Sequence, residues 1–241
     1  MGGRTLVILA RPHDPVALTL AERWSAEDAG LNDICIITPW DLSTAGWAYR
    51  SCEPDASVAM SQGRRLQAGE IDGVVTRLPC VFEEDLGHMQ PVDRGYAATE
   101  MTAFLLAWLL GLNCPIVNRP TPTALWGPSW RHEKWVRTAD ALGMPVEPAR
   151  RRIISLESLE IDAKTAASDT VTVTIVGKRH LGDVDHTLVR HAQRLADAAG
   201  VDMLSVRFSG AEMGARFLGA SIWPETVTDD MADALLSHLR V

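Results

Sequence analysis

Residues 5–38 read TLVILARPHDPVALTLAERWSAEDAGLNDICIIT, and this stretch decides the fold class. Thr5 to Ala10 is an unbroken apolar run of β-forming residues, the pattern of a strand buried on both faces. Asp14 then sets a capping side chain before a first-turn proline, Pro15, which predicts a helix ending at Gly30. Asp33 to Thr38 is a second buried strand. Strand, helix and strand in so short a span make a βαβ unit, so the sheet begins parallel.

Outward from there the pattern becomes less regular. Gly46–Met60 holds short β-like pieces, and Gly63–Leu66 completes a hairpin. Ile71–Arg77 predicts another buried strand, ended by Pro79, and Glu83–Val92 reads as a loop. An apolar helix over Tyr96–Leu110 follows, with Asp93 as its cap and Gly111 as its stop. Pro115–Asn118 is a short strand, and a helix runs from Trp130 to Leu142 with Gly143 closing it. Residues 149–169 are weakly patterned. Thr170–Val176 alternates β-branched residues and predicts a strand. Asp185 caps a helix whose Leu188, Ala192, Leu195 and Ala199 form one apolar stripe, ending at Gly200. Strands at Asp202–Phe208 and Arg216–Ile222 precede a last helix begun by Thr228, with Met231, Leu235 and Leu239 toward the core. The expected fold is α/β: a parallel-sheet domain over 1–148, a connection over 149–169, and a smaller α+β domain over 170–241. Val171–Val176 is expected in a second sheet, not in the first.

The 241 residues are 46% hydrophobic, an ordinary globular fraction. With 18 glycines and 13 prolines the chain is neither fibrous nor of low complexity. Its net charge is −8, and no basic run is longer than Arg150–Arg152, which excludes a nucleic-acid partner. The cysteines Cys35, Cys52, Cys80 and Cys114 show no C-x-x-C spacing and read as buried free thiols. The opening residues lack the pattern of a signal peptide. The longest apolar run, Met101–Leu112, is too short to cross a bilayer, which takes about 20 residues. A soluble cytoplasmic protein with no membrane partner is expected.

Three segments together resemble the ATP-grasp superfamily of carboxylate–amine ligases, in the branch that matures peptides and other natural products. They are the opening strand with its turn Arg11-Pro-His-Asp14, the stretch from Asp72 through Pro115–Pro120 to Lys134–Pro148, and Val171–Leu239. The piece from Lys134 to Pro148 is similar to the family's entry into its nucleotide half, a lysine opening a helix and then Gly-x-Pro-x-x-Pro. The resemblance spans most of the chain and implies a truncated ATP-grasp-like fold. It also implies what should follow the turn: a nucleotide-gripping subdomain, paired lysines, and a carboxylate with a Glu-x-Asn pair for magnesium. Here only residues 149–169 separate that turn from the Val171 strand, and lysine occurs only at Lys134, Lys164 and Lys178. The strand matching Glu-x-Asn reads Phe217-Leu-Gly-Ala-Ser-Ile-Trp-Pro224, without carboxylate or asparagine.

The candidate site follows from the sheet. Open parallel sheets bind ligands beyond the carboxyl ends of their strands. Arg11, His13 and Asp14 follow the first strand, while Arg77 and Arg119 end two others, and Lys134 opens a helix at the rim of the expected cleft. Guanidinium forks suit a carboxylate, and an imidazole exchanges protons near neutral pH, so His13 is the candidate for proton transfer. The competing reading has these arginines capping strand ends and pairing with surface acids. His180, Asp183, Asp185, His186 and His191 cluster in sequence, but His186 and His191 are five apart on a helix and point away from each other, so no metal site is expected. Trp126, Trp130, Trp135, Trp40 and Trp47 either anchor cores or line a groove for a peptide.

The leading expectation is a degenerate ATP-grasp-fold protein of a biosynthetic pathway, with no cofactor. It binds a small carboxylate or a peptide, as the partner of another enzyme or as an ATP-independent enzyme. One alternative is an ATP-dependent ligase whose nucleotide site is completed by a homodimer or partner chain. The other is a His/Asp metalloenzyme.

Overall fold

The computed structural model describes residues 5–27, 33–147, 170–224 and 226–240. In chain order its elements are β1 (Thr5–Leu9), α1 (Pro15–Glu27), β2 (Asp33–Ile37), β3 (Val58–Ser61), β4 (Arg64–Gln67), β5 (Ile71–Thr76), α2 (Pro91–Gly111) and β6 (Ile116–Val117). Then come α3 (His132–Ala141), β7 (Val171–Val176), β8 (Arg179–Leu181), α4 (His186–Ala199), β9 (Met203–Phe208), β10 (Phe217–Ser221) and α5 (Asp229–Leu239). The expected end of the first helix at Gly30 and the connection over 149–169 lie outside the described residues.

The chain divides into two compact units, Met1–Ser129 with Glu225–Val241, and Trp130–Pro224. The first holds a four-stranded parallel sheet in the order β2-β1-β5-β6. Every residue of β1 is buried, as its unbroken apolar run requires. Its core gathers Val7, Leu9, Ile37, Val74, Leu105 and Trp108. The second unit holds an antiparallel sheet in the order β10-β9-β7-β8. Val171–Val176 therefore lies in the second sheet, as expected.

Two helices differ in detail from their sequence pattern. Helix α2 starts a turn early, with Pro91 in its first position and Gln90 as the cap residue. Proline is preorganised for that position, and Asp93 sits inside the first turn, where a carboxylate meets the positive end of the helix dipole. Helix α4 keeps its Asp185 cap, whose Oδ1 accepts from Thr187 N at 2.7 Å, and ends at Gly200 in the left-handed conformation. Its buried stripe is Leu188, Ala192, Leu195 and Ala196, in place of Ala199.

The contacts draw the units differently from the 1–148 and 170–241 division, because α5 packs on α1, β5 and β6. Trp24 Nε1 donates to Ala232 O at 3.0 Å, and Arg23 reaches Asp229 at 2.8 Å and Asp233 at 3.0 Å. The apolar stripe of Met231, Leu235 and Leu239 is buried as its spacing predicts, but periodicity marks a face without naming the sheet that covers it. Leu239 lies directly on Gly73 in β5.

The cysteines are all free. Cys35 and Cys114 are buried as expected, whereas Cys80 is half-buried and Cys52, in the loop before β3, is exposed. Burial pushes the Cys114 thiol up to about 11. Among the described residues no helix is long and apolar enough to cross a membrane.

Gly73 gives the first test. A Cβ there would stand 3.0 Å from Leu239 Cδ2 and 3.1 Å from Leu6 Cδ2. Gly73→Ala is expected to lower stability by about 1–3 kcal/mol, the usual cost of overpacking. The check is the midpoint of urea unfolding; an unchanged midpoint would mean that α5 does not press on β5.

Candidate functional site

Four of the six residues singled out in the sequence gather at the carboxyl edge of the parallel sheet. Leu9 pairs with Thr76 in register, so the chain leaves β1 and β5 side by side. The Asp14 carboxylate stands at that point. Its Oδ1 accepts from Ala17 N at 2.9 Å, capping α1 as the sequence indicates. It also receives Arg77 Nε at 2.9 Å on Oδ1 and 3.0 Å on Oδ2. Both partners are largely buried, with side chains 13% and 15% exposed. Arg11 Nε lies 3.1 Å from Asp85 Oδ1, and its guanidinium sits 4.5 Å above the Phe82 ring. His13 is exposed between them at φ 62, a left-handed conformation that side chains adopt reluctantly.

The other two lie apart. Arg119 is exposed, but its Nη2 donates to Cys114 O at 3.4 Å, so its guanidinium turns back toward the amino end of β6. Lys134 belongs to the second unit, where its ammonium stands 3.9 Å over the Trp130 ring. Arg11 and Arg77 thus carry carboxylate partners already, in line with the reading that they pair with acids of their own chain.

Near this edge the sequence reading named Trp40 but missed its neighbours His88 and Ser43. Trp40, which follows β2, is 56% exposed and meets His88 with the rings tilted by 59° and their centroids 4.3 Å apart. His88 Nε2 lies 2.8 Å from Ser43 Oγ. His88 comes from a loop far along the chain from Trp40 and Ser43, so no local spacing marks the group. The loop under Trp40 is fixed by buried Asp41, which accepts from Thr38 N at 2.8 Å and Gln62 N at 2.7 Å. Trp47, by contrast, is a core anchor set edge-on against Phe104 and Trp108.

In the second unit the sheet register settles which residues share a face. Directly opposed residues of an antiparallel pair point the same way. Thr172, Arg207 and Gly219 form one row, and Thr174, Ser205 and Ser221 form the next. Thr174 Oγ1 and Ser205 Oγ are 2.8 Å apart and buried. The opposite face carries Val173, Ile175, Leu204 and Val206, all buried, and α4 packs on β7 and β9. On the polar face of β10, Gly219 stands across from Arg207 and Ser221 across from Ser205. Magnesium takes charged oxygens, and these strands offer hydroxyls and a missing side chain. Among the residues of β7, β9 and β10, this face carries no carboxylate.

The histidines near α4 are dispersed. Asp185 is committed to its cap, and among the described residues no three His, Cys, Asp or Glu side chains group as metal ligands. His191 Nδ1 is buried without a hydrogen-bond partner. Burial, ahead of the repulsion from Arg194 and Arg190, holds this imidazole below the ordinary histidine range.

No protein-family profile matches the chain, and no curated protein matches it. Solved structures do. The macrocyclase MdnC bound with precursor peptide MdnA, from Microcystis aeruginosa MRC, is 13% identical with a TM-score of 0.66, over 98% of this chain and 99% of that one. The ATP-grasp ligase PsnB complexed with a minimal precursor is 11% identical, TM-score 0.66, over 99% of both chains. A RiPP-associated ATP-grasp ligase of Chryseobacterium gregarium, in complex with ADP and a leader and core peptide, is 11% identical, TM-score 0.64, over 98% and 96%. The chain has the ATP-grasp fold.

Two tests follow from this geometry. Asp14→Ala removes both a helix cap and the Arg77 partner, whereas Arg77→Ala leaves the cap. Asp14→Ala is expected to be the more destabilising by about 1 kcal/mol, the typical worth of a cap; equal losses in urea titrations would deny the double role. The second concerns pH. A histidine with a depressed folded pKa favours the neutral state in the fold, so its stability is present above the unfolded value, about 6.5, and is lost as pH falls through the folded one. Tm should drop from pH 7 to pH 5, and drop less in His191→Gln. Identical slopes would show that His191 is not the group responsible.

Proposed function

We propose that this chain is a peptide-maturation protein of ATP-grasp fold that binds a precursor peptide or a small carboxylate and works without a nucleotide. The observation that carries the reading is the polar face of the second sheet, where Ser205, Gly219 and Ser221 stand in place of a magnesium ligand set. A triphosphate bound there would meet the Arg207 guanidinium but no carboxylates to hold the metal ion that bridges its phosphates. The peptide half of the reading is supported by the end-to-end likeness to ligases solved with their precursor peptides.

The substrate side of this proposal is the carboxyl edge of the parallel sheet. Arg11 and His13 are its exposed groups, the first to hold a carboxylate and the second to move a proton if a reaction occurs. Asp14 and Arg77 are positioning residues, since their mutual bonds hold the turn that presents His13. Arg119 and Lys134 fall outside this set, one turned to Cys114 and the other held over Trp130.

Titration calorimetry of the full chain with Mg-ATP is the test. No heat of binding is expected at millimolar nucleotide, and no thermal shift, although a ligand at 100 times its Kd would stabilise by about 2.7 kcal/mol. Micromolar Mg-ATP affinity would overturn the reading. In a parallel titration with a glutamate-bearing peptide that binds, Arg11→Ala should weaken affinity by about tenfold, as the loss of one charged hydrogen bond does.

A further inference from the structure

We propose that the ligand of the parallel-sheet edge carries an aromatic ring beside a single carboxylate, with the ring on Trp40 and the carboxylate on Arg11. The inference rests on the reading of that edge as a carboxylate site, and it adds the residue that selects the group next to the carboxylate.

Arg11 and Trp40 leave neighbouring strands at one edge. β1 and β2 pair in parallel, and Ala10 N donates to Ile37 O at 3.0 Å where the two strands end. A single loop then reaches both side chains. Asp85 meets Arg11 Nε at 3.1 Å, and His88, from the same loop, meets the Trp40 ring. Phe82, also from this loop, covers one face of the Arg11 guanidinium at 4.5 Å. Trp40, Phe82 and Arg11 are all exposed, so they form a water-facing rim of two rings and one cation. Trp47 shows the contrast: its indole N–H donates to Asp41 O at 2.8 Å and its ring packs edge-on against Phe104 and Trp108. An indole that serves the core is bonded and covered in this way, and Trp40 is left open to water.

The rim sets the chemistry of its ligand. Arg11 keeps Nε on the buried Asp85 carboxylate, and its side chain is still 48% exposed, so the Nη edge of the fork is the part a ligand carboxylate takes. A ring laid on Trp40 buries apolar area and gains from offset or edge-on stacking. Charge limits the ligand to one carboxylate. Asp85 already shares the Arg11 charge, and Glu83 and Glu84 are exposed in the same loop. A dianion would be repelled by this acidity, whereas a monoanion with an apolar body needs only one cation and one ring. A second copy of the chain would bring the two glutamates against their own counterparts, which opposes self-association through this rim.

The experiment titrates the full chain by calorimetry with acetyl-Gly-Gly-Phe, its C-terminal amide, acetyl-Gly-Gly-Ala and 3-phenylpropionate. The Phe peptide should bind about tenfold or more tightly than the amide, which lacks the charged contact, and than the Ala peptide, which lacks the ring. Parity of 3-phenylpropionate with the Phe peptide identifies a free aryl acid, and weaker binding identifies a peptide end; both keep ring and carboxylate together. Trp40→Ala should bring the Phe and Ala peptides to equal affinity, and Trp40→Phe, which keeps a ring, should retain the preference. Equal affinity of the Phe and Ala peptides for the unaltered chain overturns the inference and leaves the carboxylate reading standing. An amide that binds as tightly as the acid overturns it too, as does a preference that survives Trp40→Ala. If no probe binds, the carboxylate reading of the edge fails and the inference falls with it.

Discussion

The Asp14 carboxylate ties three elements together at one point. It closes the first turn of α1, and it takes both Nε bonds of Arg77 at the end of β5. The loop from β1 must pass through this point, and His13 is forced to φ 62 to do so. Such a conformation costs on the order of 1 kcal/mol and persists only where the surroundings determine it. The capping bond and the charged pair supply that determination. The carboxyl edge of the parallel sheet is therefore a fixed platform, with His13 held outward at its centre.

The two sheets manage polarity in different ways. The parallel sheet is apolar through its interior, and its polar groups emerge only where strands end. The antiparallel sheet is two-sided: α4 covers one apolar face, while the other bears hydroxyls and Arg207. Buried hydroxyls are tolerated only when bonded, and Thr174 and Ser205 bond each other. Among the residues of β7, β9 and β10, that face carries no carboxylate.

Charge pairing explains why the edge arginines differ in role. Arg77 and Asp14 are both mostly buried, so each needs the other, because an uncompensated charge at that depth is expensive. Arg11 and Asp85 are unequal, the arginine being half exposed and the carboxylate buried at 8% side-chain exposure, so the partner depends on the pair more than the arginine does.

The sequence by itself determined the order and kind of most elements, because strand and helix signals are local. The apolar run of β1, the Asp14 and Asp185 caps and the left-handed glycine after α4 each act within a few residues of themselves. It also shows that the strand Phe217–Ser221 holds neither carboxylate nor asparagine. What only the tertiary structure decided are the pairings between distant residues. Leu239 meets Gly73, Arg11 meets Asp85, Arg119 turns to Cys114, and Trp40 meets His88. A buried stripe tells that a helix has a partner, and a charge tells that it needs compensation. Which partner each finds depends on how far-separated segments close around their cores, and local patterns carry no record of that.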